Sequence, residues 1–256
     1  MAGASILAAR ACLRSGIGLL TVHTPVRNHD IVQTSVPEAM VQNDVHELYF
    51  AEPVDLDNFQ ALAIGPGIGQ EEETALATFD QLKECFIPLV LDADALNVFS
   101  THRNYLNRIP KRTILTPHIG EMSRLSGRTI QEIQHEIADT ALKCAAETGS
   151  VCVLKDACTL IADEKGQMYL NLSGNSGMAT AGSGDVLSGI LAAVLCMYLK
   201  TEEQPPMVLK AALGVYLHGL CGDLAAAEKG KRSMLAGDII EYLPKALAIG
   251  EEESKL

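Results

Sequence analysis

The sequence has no basic block, no C-x-x-C pair and no apolar run long enough to span a bilayer. Its formal net charge is −12, which argues against nucleic acid as a partner. Any anionic ligand must therefore be met by a local positive site. The seven cysteines, at 12, 85, 144, 152, 158, 196 and 221, are odd in number and scattered. That usage fits a reduced, cytoplasmic protein and not a disulfide or zinc scaffold. The N-terminus has no signal-peptide layout. The longest apolar run, Val186 to Leu199, is too short for a membrane span and reads as a buried core helix.

Several catalytic signatures are missing too. The Rossmann spacing G-x-G-x-x-G, the Walker sequence and the G-x-S-x-G elbow do not occur, which disfavours a hydride-transfer dinucleotide site, a P-loop kinase and a serine hydrolase. There is no internal repeat, low-complexity tract or linker, so residues 1–256 read as a single domain. With 48% apolar and 20% charged residues in 256, the chain can bury a large core.

What is present alternates between strand and helix signals. Residues 4–15 form a helix capped near Gly16, and 18–24 a strand stopped by Pro25. Short apolar strands at 61–64, 88–92, 112–116 and 151–154 each run into loops rich in Gly, Asp or His. Helices are expected at 71–84, 95–100, 121–126, 129–148, 185–199, 206–227 and 237–248, and a hairpin at 159–172. This pattern implies an α/β fold with a mostly parallel sheet covered on both faces. Ligands in such sheets gather at the carboxyl ends of the strands.

The most informative segment is Thr180-Ala-Gly-Ser-Gly-Asp-Val-Leu-Ser-Gly189. Gly182 and Gly184 allow close backbone approach, and the first helical turn offers unpaired N–H groups to an anion. Asp185 then stands beside that anion as a candidate base, although an aspartate there also serves as a helix cap. Gly65-Pro-Gly-Ile-Gly69 invites close approach of a ligand to the backbone, or simply makes a tight connection. His118 and Glu121, three apart beyond a strand, form a candidate ligand contact and a water- or Mg²⁺-organising carboxylate. Asp92 and Asp94 fit metal-water or substrate ligands and turn formers almost equally. Lys155 could cancel phosphate charge or pair with a carboxylate.

Taken in order, Ala11-Cys-Leu-Arg-Ser-Gly-Ile-Gly-Leu-Leu-Thr-Val22, Gly65 to Gly69, Leu91-Asp-Ala-Asp-Ala-Leu-Asn97, Leu115-Thr-Pro-His-Ile-Gly-Glu121, Leu154-Lys-Asp-Ala-Cys-Thr159 and Ala181-Gly-Ser-Gly-Asp185 resemble the ribokinase-like superfamily. Within it they resemble the ADP- or ATP-dependent NAD(P)H-hydrate dehydratases, including the dehydratase half of bifunctional repair enzymes. The resemblance implies a three-layer αβα sandwich that restores NAD(P)H from its S-form hydrate at the expense of ADP or ATP with Mg²⁺. It implies that Asp185 is the catalytic base in contact with the reacting hydroxyl. Ala4, Gly67, Gly69 and His118 would hold the hydrate. Lys155, Asp156, Ala157, Cys158 and Thr159, with Gly182, Ser183 and Gly184, would hold the nucleotide. Glu121 would reach the metal through water, and a homo-oligomer is expected.

Three departures stand out. Asp156 replaces the family's usual glycine, His118 stands where superfamily kinases carry Asn, and the glycine-rich strand expected ahead of Ala2 is missing, as in a chain lacking N-terminal residues. Two rival readings are a kinase of a small alcohol such as a hydroxyethylthiazole and a catalytically silent nucleotide-binding module. His118 opposes the first; the intact Asp185 and its glycines oppose the second.

Overall fold

The computed structural model describes residues 1–197 and 204–253, with the side chains described through residue 250. Six strands form the main sheet, in the spatial order of their sequence: β3 (Leu62–Ile64), β4 (Leu89–Leu91), β5 (Thr113–Leu115), β6 (Val151–Leu154), β7 (Thr159–Ala162) and β8 (Met168–Asn171). The first four are parallel, in the register Leu62↔Leu89, Val90↔Ile114 and Leu115↔Cys152. The hairpin β7–β8 closes the sheet antiparallel, with Val153↔Ile161 and Ile161↔Tyr169.

Sequential order among parallel strands, with right-handed crossovers, sends every connecting helix to the same face. That face carries α3 (Glu72–Lys83), α4 (Ala93–Thr101), α5 (Ile119–Ser126), α6 (Ile130–His135) and α7 (Ile137–Thr148). The other face must then be covered by helices that follow the sheet, and α8 (Ser183–Met197) and α9 (Met207–Lys229) cover it. Strand side chains alternate accordingly. Val90, Ile114, Val153 and Ile161 pack on α8 and α9, whereas Leu89, Leu91 and Leu115 pack toward α3, α4 and α5. Cys152, Leu154 and Leu160 meet α5, α6 and α7. The three-layer sandwich expected from the sequence is thus present.

Outside it, α1 (Ala2–Arg14) lies against α8, where a β-carbon at Gly189 would overlap the Ala8 carbonyl; glycine there lets the helices touch. α10 (Ala236–Glu241) and α11 (Leu243–Glu253) complete that outer layer.

Four expectations need correction. The helix expected over 129–148 is broken at Glu136, whose backbone leaves the helical region at φ −128°. Its carboxylate is held by Arg128 at 2.5 Å, and Thr129 caps the first piece with Glu132. The helix expected over 237–248 is two pieces, divided at Tyr242. A further βαβ unit, formed by β1 (Thr21–Thr24), α2 (His29–Ser35) and β2 (Met40–Asn43), makes a separate two-stranded parallel sheet. Only its first strand carried a sequence signal. The helix expected over 185–199 begins two residues earlier, and its last two residues lie outside the described ones. One described helix, α9, is long and apolar enough to cross a membrane by length and composition, but half of that window is buried within the protein.

Candidate active site

The carboxyl ends of β3, β4, β5 and β6 meet the N-terminus of α8. β4 leads directly into Asp92, whose side chain is almost fully buried. Lys155, at the end of β6, donates to Asp92 Oδ1 at 2.9 Å, and Ser188 Oγ donates to Oδ2 at 2.6 Å. Burial pushes the Asp92 carboxyl up, but Lys155, Ser188 and Thr116 together more than offset it and hold it below the usual carboxylate range. Asp92 is therefore an ionised clasp on the Lys155 ammonium.

Ala93 follows with φ 48°, the described non-glycine residue with positive φ. Such a conformation is disfavoured for a side-chain-bearing residue. The turn carries the chain straight into α4 and sends Asp94 in a different direction from Asp92. Asp94 accepts from the Gly69 amide and the Gln70 side chain, both at 3.0 Å, and so fixes the Gly65–Gly69 loop. Gly65 has φ 132°, and a β-carbon there would overlap the Asp92 carbonyl. Gly67 has φ 74°, and its carbonyl accepts from the Met1 amine.

α8 opens at Ser183 after Gly182, whose φ is 88° and whose β-carbon would collide with Leu7 of α1. A β-carbon at Gly184 would stand 3.3 Å from Lys155 Nζ. The ammonium thus sits directly beside the first turn of α8, where helix amides also point outward. Asp185 lies in that turn, half-buried, and its carboxylate makes no hydrogen bond to another described side chain. Burial, chiefly, and then the nearby negative charge of Asp92 raise its pKa to about 6, against the opposing pull of Lys155. It is the third residue of the helix and not its cap, so the capping explanation for this aspartate falls away.

His118 and Glu121 are joined by a reciprocal cap at the start of α5. The His118 Nδ1 accepts from the Gly120 and Glu121 amides at 3.0 and 3.3 Å, and Glu121 Oε2 accepts from the His118 amide at 2.8 Å. Nδ1 as acceptor leaves Nε2 with the proton in the neutral ring. Burial, then the charges of Lys155 and Arg124, lower the His118 pKa and keep it neutral. The Glu121 carboxyl is buried and its pKa rises to about 7, again mainly through burial. The His118 backbone bridges to Lys155, which places both residues at one edge.

Of the other candidates, Asp156, Ala157 and Cys158 form the exposed turn between β6 and β7, and Thr159 begins β7 beside them. Ala4 lies on α1 one turn ahead of Leu7, the residue that touches Gly182. Three side chains at the site carried no sequence signal. Ser188 and Thr116 both bear on Asp92. His218, half-buried in the middle of α9, lies 3.3 Å from Ser183 Oγ, and burial lowers its pKa to about 4. Ser188 and His218 sit inside long apolar helices, where nothing in the local sequence marks them.

Among the described residues no group of three or more His, Cys, Asp or Glu side chains could hold a metal ion. Glu121 is engaged by its own cap. A magnesium ion, which keeps several waters and is commonly held by one or two carboxylates plus substrate phosphates, fits this donor set only if it arrives with its anion.

The sequence profile of the NAD(P)H-hydrate dehydratases matches residues 1–245. A bifunctional NAD(P)H-hydrate repair enzyme of Moorella thermoacetica is 40% identical over 264 aligned positions, covering 99% of this chain and 48% of that protein. The chain thus spans about half the length of that relative. The ADP/ATP-dependent NAD(P)H-hydrate dehydratase of Bacillus subtilis, crystallised with ATP and Mg²⁺, superposes with a TM-score of 0.82 at 33% identity, over 97% of this chain and 85% of that one. A ribokinase-like superfamily protein of Enterococcus faecalis superposes with a TM-score of 0.78 at 31% identity, over 95% and 81% of the two chains. The fold is ribokinase-like, and the chain belongs to the NAD(P)H-hydrate dehydratase family.

Proposed function

We propose that this chain restores NADH or NADPH from the S-form of its hydrate, spending ADP or ATP. The observation that carries the reading is the free Asp185 carboxylate, with a pKa of about 6, in the first turn of α8 beside the clasped Lys155 ammonium. A base with that pKa is largely ionised at neutral pH yet still accepts a proton.

Hydroxide is a poor leaving group, since water has a pKa near 15.7. Phosphate is far better, with a second pKa of about 6. In the proposed reaction Asp185 takes the proton of the ring hydroxyl as that oxygen attacks the terminal phosphorus. The bond to the nucleotide breaks, leaving AMP from ADP or ADP from ATP. The ring-nitrogen lone pair then expels phosphate, and a proton leaves the neighbouring ring carbon to regenerate the dihydropyridine. The amides at Gly182, Ser183 and Gly184, with Lys155, hold the transferring group and its developing charge. Mg²⁺ on the nucleotide phosphates would neutralise charge there, with Glu121 reaching it through water. His118 presents its Nε2–H to the hydrate, together with Ala4 and the Gly67 and Gly69 backbone. The 155–159 turn lies against the nucleotide, and Asp156, in place of the usual glycine, adds a negative charge there that bears on donor choice.

The same reading makes residues 1–256 one cytoplasmic catalytic domain that binds neither nucleic acid nor membrane. It also makes the chain a homo-oligomer. Supporting this, the sheet ends at an edge strand, β8, that exposes Met168, Leu170 and, just beyond it, Leu172. Apolar edges of this kind are usually covered.

The test is incubation with enzymatically prepared NADH hydrate, Mg²⁺ and either ADP or ATP, following the NADH absorbance and phosphate release. Nucleotide-dependent recovery matched by phosphate, and lost in Asp185→Asn, is the expected result. A phosphorylated product without NADH recovery would replace this reading with a kinase.

A further inference from the structure

On the face of the sheet away from α8 lies a cavity of about 130 Å³ between α4, α5 and α7. It shares no residue with the site described above. Its floor is apolar, built from side chains such as Phe99, Leu106, Leu115, Met122 and Leu125. Space of this size holds about one benzene ring. The rim is cationic, which is unusual for a chain of net charge −12. Arg103, Arg128 and Lys143 line it, against Glu147 as the carboxylate.

These cations are not equivalent. Arg128 is paired with Glu136 at 2.5 Å, and Lys143 leans toward Glu147 at 3.8 Å. Arg103 donates to the neutral Ser126 carbonyl at 2.9 Å and has no carboxylate within ion-pair distance among the described residues. Its guanidinium is exposed at the mouth of an apolar pocket, anchored on the C-terminal carbonyl of α5 with donors left over. A planar guanidinium with free donors suits a carboxylate bidentately.

We propose that this cavity is a second ligand site, and that it takes a small amphipathic monoanion with a ring-sized apolar tail and a carboxylate head. The tail fills the space against Phe99 and Met122, and the head pairs with Arg103. The inference stands apart from the catalytic reading, since no residue of the proposed active site lines the cavity.

Phenylacetate is the probe, with benzyl alcohol as its neutral counterpart and acetate as the head alone. Titration of the full chain by calorimetry, and by NMR of ¹³C-methyl-methionine-labelled protein, reads both affinity and place. A ligand of ten heavy atoms is expected to bind with Kd of about 0.1–1 mM. The Met122 methyl resonance, assigned through Met122→Leu, is expected to move on titration. Benzyl alcohol and acetate should each bind at least about tenfold more weakly, as should phenylacetate to Arg103→Gln. Cys144→Phe, which fills the cavity from α7, should abolish binding while thermal melts confirm that it folds. Equal affinity for phenylacetate and benzyl alcohol, an unmoved Met122 resonance, or undiminished binding to a folded Cys144→Phe would each overturn the proposal.

Discussion

Replacing Asp92 by Asn tests the site at its centre. The side chain keeps its shape and can still offer one oxygen to Lys155, but it loses the charge. Lys155 is left as an ammonium only 19% exposed, with its counter-ion gone. Removing one partner of a buried ion pair costs roughly 3–5 kcal/mol. Partial solvent access and the surviving hydrogen bond place this case at the lower end, about 3 kcal/mol. For a chain of this length about 1 kcal/mol moves Tm by roughly 2–4 °C, so a fall of roughly 6–12 °C is expected. Lys155→Met in the same chain should recover part of that loss, because no unpaired charge then remains.

The same variant also has a kinetic signature. The pKa of Asp185 is raised first by burial and second by Asp92. A base works only when ionised, so kcat/KM should rise with pH through about 6 in the parent enzyme. Without the Asp92 charge that limb should move to lower pH, while KM for the nucleotide rises because Lys155 is no longer held beside α8. Differential scanning calorimetry and a pH profile from 4.5 to about 8.5, the range that brackets such a limb, read both effects. If the variant melts within about 1 °C of the parent and its acid limb is unmoved, Asp92 neither clasps Lys155 nor acts on Asp185, and the electrostatic account of the site fails.

Two further outcomes follow from single positions. The folded pKa of Asp185 is about 6 against 3.8 for an ordinary aspartate, so its ionisation opposes folding; that penalty is absent below about pH 4 and complete above about pH 6. Asp185→Asn should therefore gain roughly 1–2 kcal/mol at pH 8, after allowance for solvent screening, and nothing near pH 4, while losing roughly 10²–10⁴-fold in rate; urea melts at the two pH values decide it. Gly65→Ala places a β-carbon against the Asp92 carbonyl at φ 132°, which should cost at least about 2 kcal/mol in a thermal melt and loosen the loop that Asp94 fixes.

Much of this is legible in the sequence. The strands that carry the site are continuous apolar runs ending in Gly, Asp or His, and parallel topology alone brings such ends together. Asp92 and Asp94 could not be told apart, because their roles diverge only through the strained turn at Ala93. Nothing in the local sequence around Glu136 marks the break, and its carboxylate pairs with Arg128, eight residues earlier. The β1–α2–β2 unit is half invisible in the sequence because β2 is four residues long and mostly exposed, so it carries no apolar–polar alternation. Ser188 and His218 lie within apolar helices and acquire meaning only when α8 and α9 pack beneath the sheet ends.

One difficulty in the sequence is resolved by the geometry. Four acidic residues, Asp92, Asp94, Glu121 and Asp185, gather where a phosphate would bind, in a chain already at −12. Placed there as four free charges they would repel it. Two are committed inward instead, Asp92 to Lys155 and Ser188, and Asp94 to the Gly65–Gly69 loop. Of the other two, Glu121, with a pKa of about 7, holds a proton about half the time near neutrality, whereas Asp185, at about 6, is mostly ionised there and free to accept one. What faces an incoming anion is then the Lys155 ammonium and the first-turn amides of α8, beside a carboxylate basic enough to take a proton. The burial that destabilises Asp185 and Glu121 as charges also lessens the negative charge that an incoming phosphate would meet.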